Sequence, residues 1–268
     1  MIYLFRHEGM VELRAFVDAT TLFVFDLDGT LAPIVPDPAG IIIPDEVRHC
    51  LIQLNDMTPL AIITGRSRAD AMSHLGFTPR FLVGNHGAEG LPGYEEAGRD
   101  FAALCQEWKR QLALLIMDMS ACGISMEDKG RTLALHYRYS PDPVKAREIM
   151  LAAFSCLTPP PRVVSGIFVE NLTPQDAPHK GDALEALMEH LECGRAIFVG
   201  DDVTDEDVFH LRNPAILGIR VGKDQESAAG YYLQGQHETV RLLQEMITLL
   251  NNSVTAAALG KGSATHKI

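Results

Sequence analysis

The sequence predicts an α/β protein: a doubly wound, Rossmann-like parallel sheet interrupted by an inserted α+β unit. Three observations carry this expectation. Short, wholly apolar runs such as Leu22-Phe23-Val24-Phe25, Leu60-Ala61-Ile62-Ile63 and Ala196-Ile197-Phe198-Val199 recur, the pattern of strands buried on both faces. Stretches with apolar residues at helical spacing separate them, so strand and helix alternate. That alternation lapses in the middle of the chain, where a helix–β–β–helix–β–β run takes over.

In chain order, Leu22–Phe25 is the first predicted strand, and a Pro-rich loop over 32–44 follows. Pro44 to Met57 opens with Pro-Asp-Glu, a helix start. Leu60 to Thr64 is the second strand, Ser67 to Leu75 a helix with Ser67 as its cap, and Phe81–Val83 the third strand. In the insertion, Asp100 to Met119 is one amphipathic helix. Gly123–Met126 and Thr132–Arg138 form a hairpin around Lys129-Gly130, Pro141 to Cys156 is a second helix, and short strands lie near 162–165 and 167–171. The parallel pattern resumes with helix 180–191, strand 195–199, helix 204–211, strand 216–221 and a last helix near 236–250. The core is therefore expected over 19–93 and 174–250 and the insertion over 94–173. The small polar residues of 251–268 are expected to be a disordered tail.

Composition narrows the function classes. The net charge of −12 provides no basic field to exchange for phosphate counterions, so nucleic acid is not an expected partner. Any anion the protein binds must be neutralised locally. Five widely spaced cysteines without a C-x-x-C argue for a reducing compartment. Arg6, His7 and Glu8 interrupt the apolar start, so no signal peptide is expected, and no run reaches the length of a membrane span. The expected setting is cytoplasmic, with no membrane partner.

Four patches carry chemistry. Asp26 and Asp28 follow the first strand at alternate positions, then Gly29 and Thr30; ligands of open α/β sheets bind at such carboxyl ends, although Asp-Gly is also a common turn pair. Thr64, with Gly65 behind it, ends the second strand before a helix. A hydroxyl and free amides there suit a phosphate oxygen or simply cap the helix. Lys180 stands in a first helical turn, where the macrodipole disfavours a cation unless an anion binds there; an exposed loop lysine is the plain alternative. Asp201, Asp202 and Asp205 follow the apolar run ending at Val199. A capping arrangement accounts for 204–207 but not for Asp201 and Asp202, which with Asp26 would make a hard oxygen cluster suited to Mg²⁺.

Taken in order, Phe25-Asp26-Leu27-Asp28-Gly29-Thr30, Thr64, Lys180 and Gly200 to Asp205 resemble the four motifs of the haloacid dehalogenase superfamily of phosphohydrolases. Val83 to Glu89, Lys129-Gly130 with Leu133 to Arg138, and Gly200 to Glu206 resemble the trehalose-6-phosphate phosphatases within it. The resemblance runs from Leu22 to about Leu249. It implies the superfamily fold and a phosphorylated disaccharide, trehalose 6-phosphate or a related sugar phosphate, as substrate. It also implies an aspartyl-phosphate on Asp26, with Asp28 as acid and base. Mg²⁺ would be held by Asp26, the Asp28 main chain and Asp201, with Asp202 and Asp205 around it. Thr64, Gly65 and Lys180 would grip the phosphate. Glu127, Lys129 and Glu170 would bind sugar hydroxyls, although Glu127 and Lys129 also fit a solvated hairpin turn. Two departures stand out: Ile167 occupies the place of a usual Lys after Gly166, and Asn171-Leu172-Thr173-Pro174 replaces the usual basic residue and Pro.

Overall fold

The computed structural model describes residues 1–116 and 119–262, with side chains through Ser253. The chain opens with β1 (Ile2–Tyr3) and α1 (His7–Phe16), neither of them predicted. Next come β2 (Leu22–Phe25), α2 (Asp45–Met57), β3 (Leu60–Ile63), α3 (Arg68–Leu75) and β4 (Phe81–Val83), at the predicted places. The middle holds α4 (Ala97–Leu115), β5 (Ser125–Asp128), β6 (Leu133–His136), α5 (Pro143–Phe154), β7 (Arg162–Gly166) and β8 (Val169–Thr173). The chain continues with α6 (Lys180–His190), β9 (Ala196–Gly200), α7 (Glu206–Phe209), β10 (Ile216–Val221), β11 (Tyr231–Leu233) and α8 (Thr239–Gly262).

Two compact units result. The first comprises Met1–Thr64, Ala69–Leu82 and the chain from Lys180; the second comprises Gly65–Arg68 and Val83–His179. The inserted unit is thus wider than the expected 94–173 and takes in a short turn directly after Thr64.

In the first unit the strand order is β1-β11-β10-β9-β2-β3-β4. β2 lies parallel to β9 on one side and to β3 on the other. The chain runs outward from β2 through β3 and β4, then returns to build β9, β10 and β11 on the other flank. The carboxyl end of β2 is therefore the topological switch point, where such sheets bind ligands. Every residue of β2, β3 and β9 is buried, with Phe23, Phe25, Ile62 and Val199 packed among Leu51, Leu54, Leu242 and Met246.

The second unit carries an antiparallel sheet, β5-β6-β8-β7. Leu133, Leu135 and Leu172 pack with Trp108 and Leu112 of α4 and Met150 and Phe154 of α5. One face of this sheet is therefore covered by its own helices.

Several boundaries depart from expectation. β8 starts at Val169, because Ile167 and Phe168 form the two-residue connection between paired Gly166 and Val169, with Phe168 at φ 58°. The predicted 204–211 helix is a 3₁₀ turn over Val203–Asp205 followed by the short α7. α4 ends at Leu115, and the Met117 and Asp118 part of its predicted span lies outside the described residues. α8 continues to Gly262, so a helix stands where a disordered tail was expected from 251; residues 263–268 lie outside the described residues. Among the described residues, no helix is long and apolar enough to cross a membrane.

Candidate active site

In the first unit the site is built from the loop after β2, the loop after β9 and the first residue of α6. Asp26 continues β2, its amide donating to the Val199 carbonyl of β9 at 2.9 Å. The Lys180 ammonium, 1% exposed, donates to Asp26 Oδ1 at 2.8 Å and to Asp205 Oδ1 at 2.7 Å. The other Asp205 oxygen accepts from the amides of Asp201 and Asp202 at 2.8 and 2.9 Å. Thr30 Oγ1 donates to Asp201 Oδ1 at 3.2 Å. Carboxylate oxygens of Asp26, Asp201 and Asp205 all lie within 4.8 Å of one another.

Two glycines permit this crowding. Gly29 sits at φ +78°, and a Cβ there would lie 2.0 Å from Asp201 Oδ2; a Cβ on Gly200 would lie 2.3 Å from the Asp205 carboxyl carbon. Any side chain at either position would drive the acids apart.

The electrostatics follow from burial. Burial pushes the Asp26 carboxyl well above the usual range; Lys180 pulls it back, while Asp205, Asp201 and Asp28 push it further up. Asp201 is raised to about 7, by burial, then by Asp205 and Asp202, with Lys180 opposing. Burial works against the Lys180 ammonium, but Asp205 and Asp26 outweigh it and hold its pKa above the ordinary lysine value. One ammonium leaves the cluster with surplus negative charge.

The predicted acids therefore divide. Asp26, Asp201 and Asp205 come together, whereas Asp28 and Asp202 contribute no oxygen to that cluster. Asp28 is half-buried beside it in sequence, its backbone bridged to Ala32. Asp202 sits at the N-cap of the 3₁₀ turn. Thr64 is fully buried one residue past β3. Two further residues buttress the loops: Thr30, part of the first motif but given no role there, and Arg220 of β10, which no sequence signal singled out. Arg220 donates to the Asp202 carbonyl at 3.2 Å and to Glu206 Oε1 at 3.0 Å.

The second unit is described by the parity of its sheet. Directly opposed residues share a face. Glu170 opposes Leu135 and Ser165, so it lies on the helix-covered face. It is fully buried, accepting from Arg147 Nε at 2.6 Å and Ser165 Oγ at 2.5 Å. That placement corrects the expectation of a sugar contact, because both carboxylate oxygens are already engaged inside the unit. The reason is the register: opposite Leu135 and Ser165, and two residues from Leu172, Glu170 takes the face that those leucines take, and alternation sends Asn171 to the other.

The other face carries Glu127, Ala134 and Asn171, which oppose one another across β5, β6 and β8. His136, two residues from Ala134, shares it, and its Nε2 lies 2.9 Å from Glu127 Oε2. Lys129 Nζ donates to Asn171 Oδ1 at 3.3 Å and to the Gly65 carbonyl at 3.2 Å. The His136 hydrogen bond holds the Glu127 carboxyl below its ordinary range against burial, helped by Lys129 and Arg66. Glu127 and Lys129 thus stand with Asn171 and His136, which the sequence reading did not assign. Leu172 was the available signal: an apolar residue that must face the helices places 170 beside it and 171 opposite.

Two stability measurements check this geometry. Glu170→Ala leaves the Arg147 and Ser165 donors without their acceptor and is expected to cost about 1–3 kcal/mol in urea denaturation. Gly29→Ala combines a left-handed backbone with a clash on Asp201 and is expected to cost more than about 1 kcal/mol.

Comparison with known proteins shows the family and the fold. The trehalose-phosphatase family model matches residues 24–237. The trehalose-6-phosphate phosphatase of Escherichia coli (strain K12) is 33% identical over 242 residues, covering 87% of this chain and 89% of its own. "Probable trehalose-phosphate phosphatase 2" of Oryza sativa subsp. japonica is 28% identical over 260 residues and 82% of this chain; it is longer, and this chain spans 66% of it. The C-terminal domain of the C. albicans trehalose-6-phosphate phosphatase has the same fold, with a TM-score of 0.72 at 22% identity over 93% of this chain and 100% of that one. The chain belongs to the trehalose-phosphatase family, phosphoric monoester hydrolases built on the haloacid dehalogenase fold.

Proposed function

We propose that this protein hydrolyses trehalose 6-phosphate to trehalose and inorganic phosphate, using Mg²⁺ held by Asp26, Asp201 and Asp205. The observation that carries the reading is the buried Lys180 ammonium bonded to Asp26 and Asp205 at the switch point, in a chain of this family. The donor set suits the ion: hard carboxylate oxygens within 4.8 Å of each other, carrying more negative charge than one ammonium balances. When bound, the ion offsets charge on the phosphoryl oxygens.

The chain's own groups do the rest. Asp26 attacks phosphorus, forming an aspartyl-phosphate as the ester bond breaks towards the sugar oxygen. Asp28 donates a proton to that oxygen and then takes one from the water that cleaves the intermediate, so each cycle returns it to its starting state. Lys180 balances charge on Asp26 before attack and on the transferring group during it. Thr64 and the Gly65 amide hold phosphoryl oxygens. Glu127, Lys129, His136 and Asn171 provide donors and acceptors for sugar hydroxyls, each unmatched hydroxyl lowering affinity.

A second reading, a related phosphatase acting on another phosphorylated disaccharide or sugar phosphate, is favoured by Asn171. Where the expected contact was a carboxylate, the sheet presents a carboxamide, which both donates and accepts. Turnover of trehalose 6-phosphate, sucrose 6-phosphate and glucose 6-phosphate, with Mg²⁺ and with excess EDTA, separates the two. The first reading expects kcat/KM for trehalose 6-phosphate to exceed the others by about tenfold or more, with loss of activity in EDTA; equal rates overturn it. Asp26→Asn is expected to retain the folded circular dichroism spectrum and to show no steady-state turnover. Hydrolysis by that variant would remove Asp26 from the nucleophile's role.

A further inference from the structure

The second unit contains a buried polar junction that the reaction itself does not require. Asn85, Thr132 and Lys129 meet there with the turn over residues 65–68. Asn85 is fully buried and lies at φ 52°, followed by His86 at 58° and Gly87 at 124°. Asparagine is among the few non-glycine residues that enter this left-handed region readily. Its backbone amide donates to the Arg66 carbonyl at 2.7 Å. Its side-chain Nδ2 donates to Glu89 Oε2 at 3.0 Å and to the Lys129 carbonyl at 3.2 Å, and its Oδ1 accepts from Thr132 Oγ1 at 2.8 Å. Glu89 Oε2 also accepts from the Arg68 amide at 2.8 Å. One carboxamide therefore ties both ends of the 129–132 turn to the segment that follows Thr64.

Shape supports the same connection. A Cβ on Gly65 would lie 2.4 Å from the His86 ring, and one on Gly84 would lie 2.7 Å from the Arg66 carbonyl and the Arg68 amide. The 84–89 turn and the 65–68 turn are packed without room for a methyl group. Lys129 Nζ reaches the Gly65 carbonyl from the hairpin side. The hairpin turn is closed by the Lys129 amide to the Thr132 carbonyl at 3.1 Å and by the Gly130 amide to Asp128 Oδ1 at 2.9 Å. Its tip, Gly130, is exposed at φ +82°, and the Asn85 bonds add to these at Lys129 and Thr132.

We infer that Asn85 is a positioning residue for substrate selection: it fixes the 129–132 turn, and with it the Lys129 ammonium, against the 65–68 turn. Asn85 touches neither sugar nor phosphate in this role; it acts through Lys129 and Thr132. The inference rests on the reading of Lys129 as a sugar contact. Its ligand class is the polyhydroxylated leaving group of a phosphate monoester.

Asn85→Gly is the clean variant, because glycine keeps the left-handed backbone while removing only the side-chain bonds. It is expected to raise KM for trehalose 6-phosphate about fivefold to tenfold with a smaller change in kcat. Combined with Lys129→Ala, it is expected to add less than about twofold, because both changes act through one ammonium. Thr132→Val is expected to move KM in the same direction, and Thr132→Ser, which restores the hydroxyl, to return it. Hydrogen–deuterium exchange on the full chain reads the same link without substrate: Asn85→Gly is expected to speed exchange in 128–132 and 65–68 together.

An unchanged KM overturns the proposal. So does an Asn85→Gly effect that multiplies independently with that of Lys129→Ala, or faster exchange confined to 84–89. If the wild-type protein does not turn over trehalose 6-phosphate, the substrate reading fails on its own, and the exchange experiment still decides whether Asn85 holds the two turns together.

Discussion

The Lys180 ammonium, buried between Asp26 and Asp205, is the interaction on which the rest of the site depends. An ammonium removed from water costs several kcal/mol unless partners of opposite charge compensate it, and here two carboxylates do so at 2.8 and 2.7 Å. Three chain segments distant in sequence are thereby tied together: the loop after β2, the loop after β9 and the start of α6. Asp205 in turn orients Asp201 by accepting its amide, and Thr30 steadies the Asp201 carboxylate from the β2 side. The acids cannot separate to relieve their repulsion, and the surplus negative charge stays where a cation would offset it.

In the second unit an analogous constraint is geometric. A β-sheet face is assigned by parity, and the helix-covered face belongs to Leu133, Leu135 and Leu172. Glu170 falls on that face and is neutralised inside the unit by Arg147 and Ser165. Asn171 falls on the other, beside Lys129. The polar chemistry of that face consequently includes a carboxylate, a carboxamide, an imidazole and an ammonium, a mixed set of donors and acceptors rather than a pair of acids. In our proposal the Asn85 junction gives this face its second fixed point, holding the hairpin turn through the Lys129 carbonyl and the Thr132 hydroxyl.

Much of this was legible in the sequence, for identifiable reasons. Strands buried on both faces are uninterrupted apolar runs, so β2, β3 and β9 announce themselves, and acids placed where those runs stop are conspicuous. That is why Asp26 and Asp201 stand out in the sequence, while Lys180 stands out as a cation in a first helical turn. The strands β1 and β11 at one flank of the sheet do not, since they are short and only partly buried, and their identity comes from pairing with each other and with β10. Arg220 escaped for another reason: it sits inside a strand run, and its bond to the Asp202 carbonyl exists only once β10 lies beside the loop after β9.

The sequence by itself determined the alternating architecture, the location of the site at the strand ends, and the residue types available to it. The tertiary structure alone decided which acids share a cluster and which face of a strand each polar residue occupies. Five acids near two strand ends are equivalent as text. Burial, the missing Cβ atoms of Gly29 and Gly200, and a single lysine separate three of them from Asp28 and Asp202. The register of β8 on β6 and β7 decides which face each of its residues takes, turning Glu170 towards the helices and Asn171 away from them. Such choices depend on contacts between residues far apart in the chain, which local pattern carries only in part, as Leu172 does for the faces of Glu170 and Asn171.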